Sequence, residues 1–319
     1  MKRERLLLID GHGLAYRAFF ALPPMVNKRG EPINAIKGYY SMLFKVLSEA
    51  PRFDYAIAAF DPEGLTFREK LMDSYKAHRQ ETPQALVYQI PICQRISAAI
   101  GVPFLTVDNY EADDIIGTLS LQASQADLDV VILSSDKDLL QLVDDRITVR
   151  TAGRDIYGQP EIYTPQAVQY RFGFAPKQMI DYKALAGDSS DNIPGVNGIG
   201  DKLAKELITT YGDLNNILAN ISRMPAGRAR RALEGQEEQA RFSRQMVTIA
   251  RDIPGVQWGT INCRLGRYST ETANQLFIDL GLASLTRALG VAIPPGVADT
   301  TKASEQFITD LDELLRMAD

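Results

Sequence analysis

An α/β fold around a central, mostly parallel sheet is what this 319-residue chain predicts, on three observations. Strand-like and helix-like segments alternate through residues 1–150, the βαβ signature. From Tyr163 onward the pattern turns mainly helical. Nine carboxylates lie in five short clusters, most of them just after an apolar run, as expected where ligands gather at the carboxyl edge of an open α/β sheet.

The strand candidates are short apolar runs of a length that suits buried strands. They are Arg5–Ile9, Tyr55–Phe60, Pro103–Val107, Val130–Ser134 and Ile147–Arg150. Helical candidates lie between them at Ala35–Ser48, Leu86–Ile100, Ala112–Ala123 and Asp138–Leu142. The second half offers Pro165–Phe172, Pro176–Leu185, Lys202–Tyr211, Leu214–Ala219, Glu237–Ala250, Thr270–Leu280 and Ala283–Leu289. Residues 62–83 are too long and too charged for a simple connection after a strand. There Arg68, Lys70, Lys76 and Arg79 alternate with Glu63, Glu69, Asp73 and Glu81, with Phe67 and Tyr75 among them. Val291–Ser304, with Pro294 and Pro295, reads as a linker, and the closing FITDLDELLRMAD as a short helix.

Composition bounds the class. A chain with 45% hydrophobic and 24% charged residues is ordinary for a globular protein that buries a real core. No apolar run approaches a membrane span, and MKRERLLLID lacks the long apolar stretch of a signal peptide. Cys93 and Cys263 have no paired spacing, which points to a reducing, cytoplasmic setting and no zinc site. That His12 and His78 are the only histidines argues against a histidine-based triad, and both are expected to make local hydrogen bonds. The net charge of −5 argues against a nucleic-acid partner only superficially: without the nine clustered acids the count is 35 − 31 = +4.

The acids are Asp10 in LLLIDG, Asp61 in AIAAFDPEG, Glu111, Asp113 and Asp114 in YEADD, Asp136 and Asp138 in ILSSDKD, and Asp188 and Asp191 in GDSSDNIPG. Gathered on one sheet edge, they repel one another unless cations hold them. Oxygen-only donors suit hard divalent ions, magnesium first. Two such ions activate a water and stabilise the leaving oxygen in phosphodiester cleavage. Taken singly, each acid has a plainer reading as a helix cap or solvated loop residue; the five clusters together favour the metal. Further on, IPGVNGIGDKLAKELITTYG places Gly195, Gly198 and Gly200 in a tight turn before an amphipathic helix. Backbone N–H groups at such a start hold phosphate, and Lys202 and Lys205 add charge; an ordinary inter-helix turn is the plainer reading.

LLLIDGHGLAYRAFFAL, AIAAFDPEGLTFREKLMDSYKAHR, YEADDIIGTL, ILSSDKDLLQLV, LAGDSSDNIPGVNGIGDKLAKEL and ARFSRQMVTIARDI, in that order, resemble the 5′-nuclease domain of bacterial DNA polymerase I, in the flap endonuclease superfamily. The resemblance spans about residues 5–290 and retains all nine acids. It implies a sheet flanked by helices, a helical arch over the site that starts in Asp61–Pro83, and a helix-hairpin-helix element. The implied layout is a nuclease core over 1–165 with the arch at about 62–95, a helical part over 166–290 with the hairpin at about 185–212, and a tail over 291–319. The implied activity is metal-dependent cutting of 5′ flaps and 5′ ends of DNA with two Mg2+ ions, for which Mn2+ substitutes. RNA–DNA hybrids are further substrates, and a polymerase domain commonly follows in the family.

By the same match Arg17, Lys76 and Arg79 contact the scissile phosphate or the 5′ strand, and Tyr75 is placed to stack on a base. Plainer readings stand beside these: Arg17 as partner of a nearby acid, Lys76 on a solvated face, Tyr75 packed within the arch. Leu22–Met25 suggest an apolar wedge against a duplex end, and Arg223, Arg228, Arg230 and Arg231 an extension of the duplex track. Two other functions compete. A non-catalytic DNA-binding module would lose a central acid, and a ribonuclease of the PIN type would have fewer acids and no glycine hairpin.

Overall fold

The computed structural model describes residues 3–153, 159–266, 270–280 and 282. The expected helix at Ala283–Leu289, the linker-like stretch and the closing helix all lie outside them. Six strands form one sheet in the order β3-β2-β1-β4-β5-β6. β1 (Arg5–Asp10), β2 (Tyr55–Ala59), β3 (Phe104–Leu105), β4 (Asp129–Leu133) and β5 (Ile147–Arg150) run parallel, while β6 (Ile162–Tyr163) is antiparallel to β5. The short edge pair at β6 was not anticipated from the apolar pattern, since two residues leave no periodicity to read.

β1 is central and covered on both faces, so its run is continuously apolar rather than alternating. Leu6 and Leu8 enter one core with Ile115, Ile116 and Leu119 of α5 (Ala112–Gln125). Leu7 and Ile9 enter the other, with residues of α1 (Gly11–Ala21), α2 (Asn34–Ser48) and α4 (Gln84–Ala99). The second face also carries α12 (Thr270–Asp279), through Phe277 edge-on to Tyr40 at 4.7 Å. A short helix, α3 (Phe67–Leu71), precedes α4 and is closed by a capping box between Thr66 and Glu69.

The helical half comprises α6 (Pro165–Phe172), α7 (Met179–Ala186), α8 (Asp201–Tyr211), α9 (Leu214–Ala219), α10 (Arg228–Leu233) and α11 (Glu237–Val247). It packs against the α5 face of the sheet in one continuous core. Pro165 sits in the first turn of α6 and Gly173 ends it with φ +86°, the expected start and stop. Among the described residues no helix is long and apolar enough to cross a membrane.

Helix α1 was missing from the periodicity reading. Gly11 and Gly13 lower its propensity, but both are required by what they touch. A Cβ on Gly11 would lie 2.4 Å from the Phe60 ring, and one on Gly13 2.2 Å from the Asp10 carboxylate. The tertiary fit overrides the local preference, and the helix starts on Asp10 itself.

Candidate active site

Strand order reverses between β1 and β4, the switch point where an open α/β sheet leaves a crevice beyond its carboxyl edge. Asp10 ends β1, Asp61 follows β2, and Asp136 and Asp138 follow β4. Asp10 caps α1 by accepting from the Gly13 amide at 2.7 Å, and its other oxygen accepts from Ser134 Oγ at 2.7 Å. Asp61 accepts from the Ala112 amide at 2.8 Å, at the start of the helix that bears Asp113. The Asp138 amide donates to Asp136 at 2.8 Å. A cleft of about 480 Å³ is lined by Asp10, Asp61, Glu111, Asp113, Asp136 and, from the charged segment after β2, Lys76.

The nine acids divide by what compensates them. Asp114 is fully buried and takes a bidentate pair from Arg68 at 2.7 and 2.9 Å. It also accepts from the Glu111 amide at 3.1 Å and the Ala250 amide at 2.8 Å. In this structure Asp114 is a structural anion that fixes the start of α5, and it does not line the cleft. Glu111 receives Arg68 at 2.8 Å, Tyr75 OH at 3.1 Å, and the Lys76 ammonium. Asp191 receives Arg79 at 2.6 Å and Tyr75 OH at 3.0 Å, with Lys76 Nζ 3.9 Å away. Lys183 of α7 bridges Asp138 and Asp188, at 2.6 Å from the latter. Asp10, Asp61, Asp113 and Asp136 have no lysine or arginine within ion-pair distance among the described residues; His12 Nδ1 lies 3.8 Å from Asp61.

The charge imbalance shows in the titration of these groups. Burial pushes the Asp10 carboxyl up to about 6 against its two hydrogen bonds, with repulsion from Asp136 and Asp61 adding to the rise. Burial, then Asp136, Asp10 and Glu111, hold Asp113 well above the ordinary carboxylate range. Burial and Asp136 push Asp138 up to about 7 despite Lys183. For Asp188 burial is the largest influence and acts upward, but Lys183 and Ser190 outweigh it and bring the carboxyl below its usual value. Burial disfavours the Lys76 ammonium, yet Glu111 and Asp191 together raise its pKa above that of a free lysine. A cluster of oxygen-only donors that resist ionising together fits hard divalent cations. Among the described residues no three of these acids stand as a ready ligand set around one point; lysine ammonium groups bridge two of the acid pairs.

Tyr75 is 5% exposed, packed with Ile193, Met246 and Val247, and its hydroxyl bonds Glu111 and Asp191, the arrangement of the plainer reading in which it packs within the arch. Arg17, on α1, donates to Ser135 Oγ at 3.0 Å rather than to a carboxylate. It lines a second cleft with Ser135, Asp136, Thr151 and Arg171, which meets the first at Asp136. His12 stacks on Tyr16 with centroids 5.0 Å apart.

The glycine turn joins α7 to α8. Asp188 and Ile193 exchange backbone hydrogen bonds of 2.8 Å in both directions and close the loop that carries Asp188 and Asp191. A Cβ on Gly195 would sit 2.2 Å from the Gly187 amide nitrogen, so the loop closure requires glycine there. Gly198 turns at φ +87° and its carbonyl accepts from Arg228 at 3.2 Å. Gly200 begins α8 with open space around it and no side-chain cap on the first-turn amides, and Lys202 is exposed beside it. Lys205 is half-buried, its ammonium 5.9 Å from the Tyr182 ring centroid. Arg230 pairs with Glu234 at 2.6 Å, an ordinary surface bridge.

Two residues central to this site escaped the sequence reading. Arg68 lay inside a run of alternating charges that looks solvated, yet only 3% of it is exposed. Lys183 carried no motif; its spacing of five residues before Asp188 was the one available signal.

Comparison with known proteins gives concordant results. The family model "5′-3′ exonuclease, N-terminal resolvase-like domain" matches residues 5–173. The model "5′-3′ exonuclease, C-terminal SAM fold" matches residues 174–271. DNA polymerase I of Bacillus caldotenax is 39% identical over 282 residues, 88% of this chain and 32% of that protein. The chain thus spans about a third of the length of that relative. Among solved structures, T5 5′-exonuclease with zinc ions bound superposes with TM-score 0.62 at 19% identity, covering 97% of this chain and 99% of that one. The catalytic core of Rad2 in complex with DNA substrate superposes with TM-score 0.58 at 17% identity, covering 88% of each chain. At these identities the superpositions speak to fold.

Proposed function

Because the chain belongs to the 5′-3′ exonuclease family, we propose that it is a metal-dependent, structure-specific 5′ nuclease that hydrolyses phosphodiester bonds at 5′ flaps and 5′ ends of DNA. The observation that carries the reading is the gathering of Asp10, Asp61, Glu111, Asp113 and Asp136 in one cleft at the sheet's switch point, lined also by Lys76 and Arg79, which reach Asp191, while Lys183 holds Asp138 to Asp188. In this reading Asp10, Asp61, Glu111, Asp113, Asp136, Asp138, Asp188 and Asp191 hold two Mg2+ ions directly or through water, with Mn2+ able to substitute. When bound, such ions supply an activated water and charge stabilisation at the leaving oxygen. Ser134 and the Gly13 amide orient Asp10, and the Ala112 amide orients Asp61. Lys76, Arg79 and Arg17 bind the phosphates of the 5′ strand. Gly198, Gly200, Lys202 and Lys205 grip the duplex backbone, which fixes position without reading sequence.

The natural substrates in this reading are replication and repair intermediates, including primer ends with RNA in an RNA–DNA hybrid. A polymerase domain in the same longer chain and a cytoplasmic location belong to the same proposal. The test is cleavage of a 5′-labelled flap substrate in Mg2+ and in EDTA. Release of short products in Mg2+ alone is expected; full activity in EDTA overturns the metal assignment, and cutting of unbranched single strands with no preference for the junction overturns the substrate assignment.

A further inference from the structure

Residues 72–79 form a strap lying directly on the acid cluster. Four of its members are tied down. Ser74 offers its carbonyl to Asn192 Nδ2 at 2.7 Å, and the Lys76 amide donates to the Asp191 carbonyl at 3.0 Å. Tyr75 reaches both Glu111 and Asp191, and Arg79 reaches Asp191 at 2.6 Å. At the centre the Lys76 ammonium bonds Glu111 and stands 3.9 Å from Asp191. Lys76 holds φ +54°, a left-handed conformation that L side chains disfavour. A residue kept in a disfavoured backbone state needs surrounding contacts to hold it there. Here those contacts are with carboxylates that a divalent cation would also seek.

We propose that this strap is a latch in which the Lys76 ammonium competes with divalent cations for Glu111 and Asp191, so that cation binding and latch closure oppose each other. The inference rests on the metal reading above and goes beyond it. An internal ammonium offsets one of the two negative charges of the acid pair when no metal is present. A divalent ion drawing on either carboxylate weakens the Glu111, Tyr75 and Asp191 contacts together. The strap then lifts, and Lys76 and Arg79 turn from partners of acids into free cations over the cleft, available to a phosphate. Linkage makes the coupling reciprocal: whatever loosens the latch tightens the metal, by the same factor.

Two measurements on the whole chain test this, with Ca2+ as the probe. The first is titration calorimetry of Ca2+ into the parent protein and into Lys76→Met, which keeps the length of the side chain and removes the charge. Affinity in the variant should rise about tenfold or more, the scale of effect a unit charge has on a partly buried neighbour. The second is limited trypsin digestion of the parent protein with Ca2+ and with EDTA. Cleavage after Lys76 and Arg79 should accelerate in Ca2+ relative to cleavage after the exposed Lys202. Ca2+ affinity unchanged within twofold, together with a strap cut at the same relative rate in both conditions, overturns the latch and leaves the metal site standing. Absence of any Ca2+ binding to the parent protein, with no flap cleavage in Mg2+, overturns both.

Discussion

Replacing Arg68 with methionine removes a guanidinium that makes five hydrogen bonds in the interior: two to Asp114, one to Glu111, and one each to the carbonyls of Met246 and Thr248. These tie the segment after β2 to the start of α5 and to the end of α11. The cost follows from what stays behind. Removing one member of a buried ion pair typically destabilises by about 3–5 kcal/mol, because the other charge is left without compensation. Asp114 would keep the Glu111 and Ala250 amides, and Glu111 would keep Tyr75 and Lys76, which argues for the lower end, about 3 kcal/mol. At about 2–4 °C per kcal/mol for a domain of this order of size, the melting temperature should fall by roughly 6–12 °C. Urea unfolding of the parent, Arg68→Met, Asp114→Leu and the double variant forms a cycle that isolates the pair. The double variant should be more stable than Arg68→Met alone, since no buried carboxylate then lacks its partner. A loss below about 1 kcal/mol in Arg68→Met, in the range of an exposed ion pair, would refute the reasoning that this arginine holds the start of α5.

Three further predictions follow from the site. Asp136→Asn should abolish or greatly slow flap cleavage while leaving flap affinity equal or higher, because it removes negative charge facing phosphate; a near-parental single-turnover rate would strike Asp136 from the metal ligands. Lys202→Ala should weaken duplex binding regardless of sequence and flatten the plot of log affinity against log salt by about one unit, and an unchanged slope would return Lys202 to plain solvent exposure. Gly195→Ala meets the Gly187 backbone and a φ of +65°, so a stability loss above about 2 kcal/mol is expected. Gly200→Ala meets open space and should leave the urea midpoint nearly unchanged, so equal losses in the two would contradict the roles assigned to these glycines.

The sheet was readable because its strands are short, apolar and bounded, and because covered parallel strands need not alternate. The position of the acids after those strands was readable for the same reason. What each acid does was not. Asp113 and Asp114 are neighbours on one helix, yet one faces the cleft and the other is sealed against Arg68. That division depends on a partner 46 residues away, and a spacing pattern does not encode it. The packing of Tyr75 was hidden for a related reason: an aromatic among charges looks exposed until Ile193, Met246 and Val247 arrive from distant parts of the chain. Helix α1 shows the reverse error, where local glycines obscured an element that long-range fit requires.

The loop from Gly187 to Gly195 is closed on itself by the Asp188–Ile193 pairing. Asp188 and Asp191 sit inside it, and the turn of Gly198 and Gly200 begins three residues after it ends. Backbone pairing at its neck and the glycine contact across it leave little slack between the last two acids and the start of α8. On the proposed function, one end of this piece rests on the duplex and the other on the bond to be cut. The loop then acts as a caliper: the number of nucleotides between the gripped backbone and the cleaved bond is set by a few residues of covalent chain.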